Sequence, residues 1–298
     1  MVNIDSKKCR VCGICGDVCP RHIPETIVQD DLKMTKVSTE RIDLCMNCGH
    51  CMAVCPENAI EVEGLDAEKF TQVKALGLDE NQFITLIRQR RSVRRYKNKP
   101  VPRDIINRIA DAGHCSPTGS GRKSTSLIVI DNPKTLSTLS ELIYKEYEGL
   151  EKYLKNPIAR FFIKRQVRKR KGKQMLGTLL DFVMPGMHWY IRWYKEGKSN
   201  EIMRDCPVLM LFHSPVNEPM GAHNCVIAAF HAILMAAVLE IGTCFNDLIP
   251  QVCDRDTIKK FIGLPDDHGV YASITMGYPE YPFKRIPPRQ LAEVRYLN

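Results

Sequence analysis

A chain of 298 residues, 44% hydrophobic and 26% charged, has the make-up of a soluble globular protein and the length for one small and one large domain. No stretch after Met1 has the form of a secretion signal, and no run of about 18 uncharged apolar residues suggests a membrane span, so a cytoplasmic protein is expected. The formal charge of +9 is uneven: residues 1–65 are net acidic and the basic excess lies downstream, where it reads as a solvated face with anion-binding groups, since no nucleic-acid module accompanies it.

Of the 13 cysteines, the first group forms an internal repeat, CRVCGICGDVCP at Cys9–Pro20 and CMNCGHCMAVCP at Cys45–Pro56. Each copy has the spacing C-x2-C-x2-C-x3-C-P. Three cysteines in a tight loop offer thiolates to three corners of an iron–sulfur cubane, and the fourth, fixed by the proline after it, reaches the other cubane. This assigns Cys9, Cys12, Cys15 and Cys55 to one [4Fe–4S] cluster, and Cys45, Cys48, Cys51 and Cys19 to the second. Gly13, Gly16 and Gly49 leave room for backbone amides beside the sulfurs. Paired CxxC units also build zinc sites, but those use two pairs of ligands, a different pattern. The stretch closely resembles bacterial two-cluster ferredoxins. That resemblance implies electron transfer, and the oxygen sensitivity of exposed clusters implies an anaerobic, reducing setting. Residues 1–63 are expected to form this domain, with a polar linker at 64–80.

Beyond the linker, Phe83, Leu86 and Ile87 begin a helical pattern that runs into Arg90, and Ile105, Ile106, Ile109 and Ala110 give a second helix. Leu127–Ile130 and Val208–Phe212 read as buried strands, Ala222–Ile241 as a long apolar helix, and Tyr271–Met276 as a late strand. Helices and strands mix without regular alternation, which favours an α+β fold. Residues 144–204 read as an insertion. Its run of Lys and Arg over 155–173 is interleaved with Ile158, Phe161, Phe162, Ile163 and Val167 and followed by Met175, Leu179, Phe182, Met187, Trp189, Tyr190 and Trp193. A lid is the preferred role. Neither a membrane surface nor nucleic acid is an expected partner.

Four separated segments of residues 81–298 look like the nitroreductase family of FMN enzymes. In RQRRSVRRY, guanidinium and hydroxyl groups at a helix end suit a phosphate. The resemblance puts Arg90, Ser92 and Arg94 on the FMN phosphate. In CSPTGSGRKS, Pro117 and Thr118 fit the family pattern, but Gly121 and Lys123 stand where Asn and Gln are usual. Lys123 in that place would set a cation near the flavin ring. In LEIGTCFNDL, Gly242, Thr243 and Cys244 match a turn whose amides face the ring. In MGYPEYPFKRIPPR, Lys284, Arg285 and Arg289 are candidates for a second phosphate clamp.

The resemblance implies a homodimer with FMN in the subunit interface. No Gly-rich dinucleotide fingerprint is present, which favours the clusters as the electron inlet. The expected activity is reduction of a small organic acceptor (a nitroaromatic, quinone or activated alkene) with electrons from ferredoxin or a similar low-potential donor. An electron-relay subunit without its own substrate is the alternative, and flavin modification a third. No catalytic side chain is assigned. His188, His213, His223 and His231 are read as structural, as are most of Cys115, Cys206, Cys225, Cys244 and Cys253.

Overall fold

The computed structural model describes residues 1–121, 124–158, 161–162, 165, 177, 179–290 and 292–297; the side chains of Ser120, Leu179 and Phe182 are also left aside. The chain forms two compact units: Met1–Gly77 together with Thr118–Lys123, and Leu78–Pro117 together with Ser124–Asn298.

The first unit is a pseudo-symmetric pair of half-modules. Strand β1 (Val2–Ile4) pairs antiparallel with β4 (Ile60–Val62). Strands β2 (Pro24–Gln29) and β3 (Leu32–Val37) form a hairpin. Asp30 and Asp31 turn it with φ of 51° and 63°, the left-handed pair that matches strand twist. Short helices α1 (Ile14–Asp17) and α2 (His50–Ala53) each follow a glycine in the left-handed region, Gly13 and Gly49. The backbone repeats with the sequence: Val11 and Asn47, and His22 and Asn58, adopt matching positive φ at equivalent places. Val2, Cys15, Ile23, Met52, Ile60 and Val62 make a small core, within which the cysteine loops are the main structure.

The second unit is built on an antiparallel sheet. Its strands are β5 (Ser126–Ile130), β6 (Val208–Pro215), β7 (Gly242–Phe245) and β8 (His268–Gly277), in the order β5-β6-β8-β7. Helices are α3 (Glu80–Gln89), α4 (Arg103–His114), α5 (Pro133–Lys155), α6 (Met184–Lys195), α7 (Gly221–Val238) and α8 (Asp256–Phe261). Both faces of the sheet are covered, so β6 is buried from Val208 to Ser214 instead of alternating. Leu209 and Leu211 pack toward α5, α6 and α8; Val208, Met210 and Phe212 pack toward α4 and α7. Among the described residues, α7 alone has the length and composition to cross a membrane. It is a core helix: Ala228, Ala229, Ala232 and Ala236 are fully buried, and small side chains let it sit close on the sheet.

One expectation changes. Thr243 and Cys244 lie in a strand, not a turn, because Gly242–Phe245 pairs in register with Ile274–Gly277 at the sheet edge. Where the segment read as an insertion begins, α5 passes through Tyr144 without a break, Tyr144 and Tyr147 are core residues, and the Tyr144 ring stacks on Tyr194 at 3.8 Å. Met187 and Ile191 join the same core, so α6 is built into the unit. Ile158, Phe161 and Phe162 are exposed; Ile163, Val167 and Met175 lie outside the described residues.

Candidate metal centres and anion site

In the first unit the repeats fold the cysteines into two groups. Cys9, Cys12, Cys15 and Cys55 line one cavity, with Arg10, Ile14, Thr35 and Glu57 among its walls. Cys19, Cys45, Cys48 and Cys51 line the other, with Arg21, Met46, His50 and Val62. Three members of each set come from one repeat and the fourth from the other, because the fourth cysteine of each repeat lies beyond its short helix and faces the opposite cavity. No group of Cys, His, Asp or Glu among the described residues is gathered tightly enough for a single ion. The thiols surround a space instead of a point.

Backbone amides turn toward the sulfurs in matching ways. The N–H of Ile23 donates to Cys19 Sγ at 3.4 Å and that of Ala59 to Cys55 Sγ at 3.3 Å; Val11 donates to Cys9 Sγ at 3.4 Å. Gly16 must lack a side chain, because a Cβ there would lie 2.8 Å from the Pro24 carbonyl oxygen. Burial pushes the Cys51 thiol up to about 11, and the neighbouring Cys48, Cys19 and Cys45 add to the rise. Cys15 is raised by burial too, with Cys12 and Cys9 contributing. Thiolates packed this closely require cationic iron among them to ionise together.

In the second unit three distant segments converge. Val93 N–H donates to the Thr243 carbonyl, Ser92 bridges to Thr243 in parallel, and Tyr96 bridges to Pro279. The buried Tyr96 hydroxyl bonds the Val93 carbonyl at 2.8 Å and Thr275 at 2.9 Å, fixing the segment on β8; burial raises its pKa well above the usual phenol range. Arg90 caps α3 and is half-buried. Burial lowers its pKa first, then the like charges of Arg289 and Arg91; only the Cys244 thiol acts in the other direction. Arg91 Nε is buried and has no partner. Three guanidinium groups gathered beside a thiol, one with an orphaned donor, form a place for an anion.

Of the sequence candidates, Arg90, Ser92, Thr243, Cys244 and Arg289 are thus brought together around Gly242. Cys244 is buried and its thiol donates to the Phe245 carbonyl at 3.4 Å. Arg94 is exposed and its guanidinium turns back to the Ser92 carbonyl at 3.5 Å. Lys284, Arg285 and Arg289 are all exposed, as is Pro117; Arg289 differs from the other two in lying close enough to Arg90 for its charge to act there. Thr118 and Gly121 group with the first unit, and Lys123 lies outside the described residues. Arg91 and Tyr96 were passed over in the sequence; the apolar spacing of Val93 and Tyr96, an inward pair three apart, is the signal that marked the latter.

Residues 87–278 match the model of the nitroreductase family, and residues 1–56 match that of a 4Fe-4S dicluster domain. The chain belongs to the nitroreductase family. Among curated relatives it is 22% identical over 206 residues to iodotyrosine deiodinase 1 of Rattus norvegicus, covering 66% of this chain and 62% of that protein. It is 22% identical over 203 residues to the NADH dehydrogenase of Thermus thermophilus, covering 67% and 89%. The chain therefore spans less than two thirds of the rat protein. In fold it resembles the nitroreductase of Bacteroides fragilis solved with bound FMN, with TM-score 0.54, 20% identity, and coverage of 73% of this chain and 100% of that one. The FMN-bound nitroreductase of Desulfitobacterium hafniense gives TM-score 0.52, 16% identity, and 74% and 100% coverage. At these identities the structural likeness establishes the fold.

Proposed function

We propose that the chain is a homodimeric, cytoplasmic oxidoreductase holding two [4Fe–4S] clusters and FMN. It takes electrons from a low-potential donor of the ferredoxin type and reduces a small organic acceptor, a nitroaromatic, quinone or activated alkene. The observation that carries this reading is the sorting of eight cysteines, four and four with one exchanged, around two cavities in a chain of the nitroreductase family. When bound, the clusters carry single electrons, and FMN collects two and releases them as a hydride.

The chain's own residues supply the holding and the tuning. Cys9, Cys12, Cys15 and Cys55 take one cluster, and Cys19, Cys45, Cys48 and Cys51 the other. Arg90, Arg91 and Arg289 suit the FMN phosphate because their mutual repulsion is relieved only by an anion. Gly242 lets the strand that carries Thr243 and Cys244 pack directly against Val93 and Pro279, beside the arginines. Exposed apolar residues of α7 (Val226, Ile227, Phe230 and Val238) favour a second copy of the chain as its cover.

Anaerobically purified protein should contain iron, sulfide and FMN, and with reduced ferredoxin it should turn over members of a nitro, quinone and enone panel. Full cofactor content without turnover of any panel member would leave the relay reading in its place.

A further inference from the structure

Helices α5 and α6 of the second unit run antiparallel and are tied together along their length. The Tyr144 ring stacks on Tyr194, Lys195 Nζ pairs with Glu148 at 2.9 Å, and His188 Nδ1 lies 2.6 Å from Glu151. Met187 and Ile191, four apart on α6, are buried in the core, which turns Trp189 and Arg192 outward.

The ion pairs of this face have a direction. The Lys155 side chain is 66% exposed against 15% for its partner Glu151, and Lys195 is 55% exposed against 23% for Glu148. Arg192 and Lys198 likewise stand outside Glu196. The carboxylates face inward and the cations outward, so the outer layer is positive. Lys152 and Arg165 are exposed as well, and from Lys152 to Leu180 the sequence holds ten Lys/Arg and no Asp or Glu. Large apolar side chains share that exposure: Leu150, Tyr153, Ile158, Phe161, Phe162 and Trp189. The Arg192 guanidinium lies 5.3 Å from the Trp189 ring, and the Trp193 ring 5.8 Å on its other account.

We propose that this face of the second unit is a docking surface for an anionic lipid bilayer. Cations outermost pair with lipid phosphates, while exposed Trp, Tyr and Phe rings enter the headgroup layer, where one side of the ring is apolar and the other wet. The attachment is peripheral, because the described helix with the length and composition to span a membrane is the core helix α7. In sequence the segment reads as a lid and no membrane is expected; the outward placement of its cations and rings changes that reading. A second copy of the chain is a poor occupant, since a two-fold interface would set these cations against themselves. The proposal goes beyond the function above, and its test needs no turnover.

The holoprotein is floated with vesicles of phosphatidylcholine alone and with phosphatidylglycerol added. It should float with the mixed vesicles, stay behind with the neutral ones, and be released as salt is raised. The chain's two tryptophans, Trp189 and Trp193, both lie on α6, so intrinsic fluorescence reports this face directly. Their emission should shift to the blue on the mixed vesicles and be quenched by spin-labelled lipid. Two double variants divide the contributions, each at exposed positions away from the arginine site. Phe161→Ser with Phe162→Ser should weaken partitioning on the order of tenfold or more. Lys152→Glu with Arg165→Glu should weaken it on the order of tenfold. FMN and iron content, read by absorbance on the same samples, should match the parent in both.

Failure to float with phosphatidylglycerol vesicles at low salt would overturn the proposal. So would equal binding to neutral vesicles, an unmoved tryptophan spectrum on binding, or undiminished binding by both variants. Binding of single-stranded RNA in place of vesicles, or a larger oligomer that the variants dissolve, would overturn it in favour of a nucleic acid or a second copy.

Discussion

The backbone N–H of Val93 donates to the carbonyl of Thr243 at 2.8 Å, and this bond ties the arginine-rich segment after α3 to the edge strand β7. Gly242 sits directly beside it. A Cβ on Gly242 would lie 2.8 Å from Val93 Cγ2 and 2.9 Å from Pro279 Cγ. These neighbours are ring and branched atoms with little room to turn. Gly242→Ala should therefore cost about 1–3 kcal/mol in the stability of the second unit. Because the displaced elements carry Ser92, Thr243 and the approach to Arg289, FMN release should quicken as well. Urea unfolding of the apoprotein and the FMN dissociation rate check the two parts. A fully stable variant with native FMN retention would mean the crowding is relieved by a shift of Pro279.

Arg90 offers a different pair of readouts. Burial and two like charges oppose its ionised form, so neutralising it relieves the apoprotein while taking a donor from the anion. Arg90→Gln should leave apoprotein stability equal or slightly raised and weaken FMN binding about 10- to 100-fold, the range of one charge-assisted hydrogen bond. Arg285→Gln, at an exposed position, should change neither by much. Fluorescence titration of apoprotein with FMN measures both. Equal losses in the two variants would remove the assignment of Arg289, not Arg285, as the partner of Arg90.

Local rules carried much of this into the sequence. The cysteine spacing fixes which side chains share a loop, and each fourth cysteine crosses because a short helix and a proline leave it no other direction. The strand and helix limits around 83–114 and 208–238 follow from caps and apolar runs; Asp79, for example, starts α3 by accepting from Gln82 N–H at 2.8 Å. What stayed hidden depends on long-range pairing. Gly242–Phe245 is too short and glycine-led to read as a strand, and becomes one only against β8. The choice of Arg289 over Lys284 and Arg285 depends on the path of a tail without regular structure. Tyr144 has polar neighbours in sequence, and its place in the core follows from the helical period of α5, which turns Leu136, Leu139, Ile143, Tyr144 and Tyr147 to one face.

The first unit should depend on its metal. Its core cluster has six buried residues with partly buried ones, three of them cysteines, packed against it, and the Cys51 and Cys15 thiols resist ionisation without a counter-charge. Removal of iron and sulfide by chelation under mild oxidation should unfold Met1–Gly77, seen as rapid proteolysis there, because cluster binding and folding share one free energy. The second unit, with its covered sheet, should keep its melting transition and its FMN. Survival of a protease-resistant first unit after complete iron loss would show that packing alone sustains it.

His213 on β6 and His268 on β8 place their Nδ1 atoms 2.8 Å apart. His213 is buried, and its pKa is lowered first by that burial and then by His268. Asp267 is the nearest carboxylate, 4.0 Å from His268 Nε2 on the ring's far side. One ring donates to the other only while one of the facing nitrogens lacks a proton. The native state thus binds a proton less readily at His213 than the unfolded chain, whose histidine titrates at about 6.5. The stability tied to His213 is complete above that value and declines as pH falls through it, since there the unfolded state takes up the proton first. Urea midpoints for the second unit should drop between about pH 7.5 and pH 5.5. In His213→Gln the drop should shrink, because the titrating group is gone while a hydrogen-bonding side chain remains. A variant as pH-sensitive as the parent would place the acid dependence elsewhere, and the histidine pair would then be a packing contact whose proton does not matter to folding.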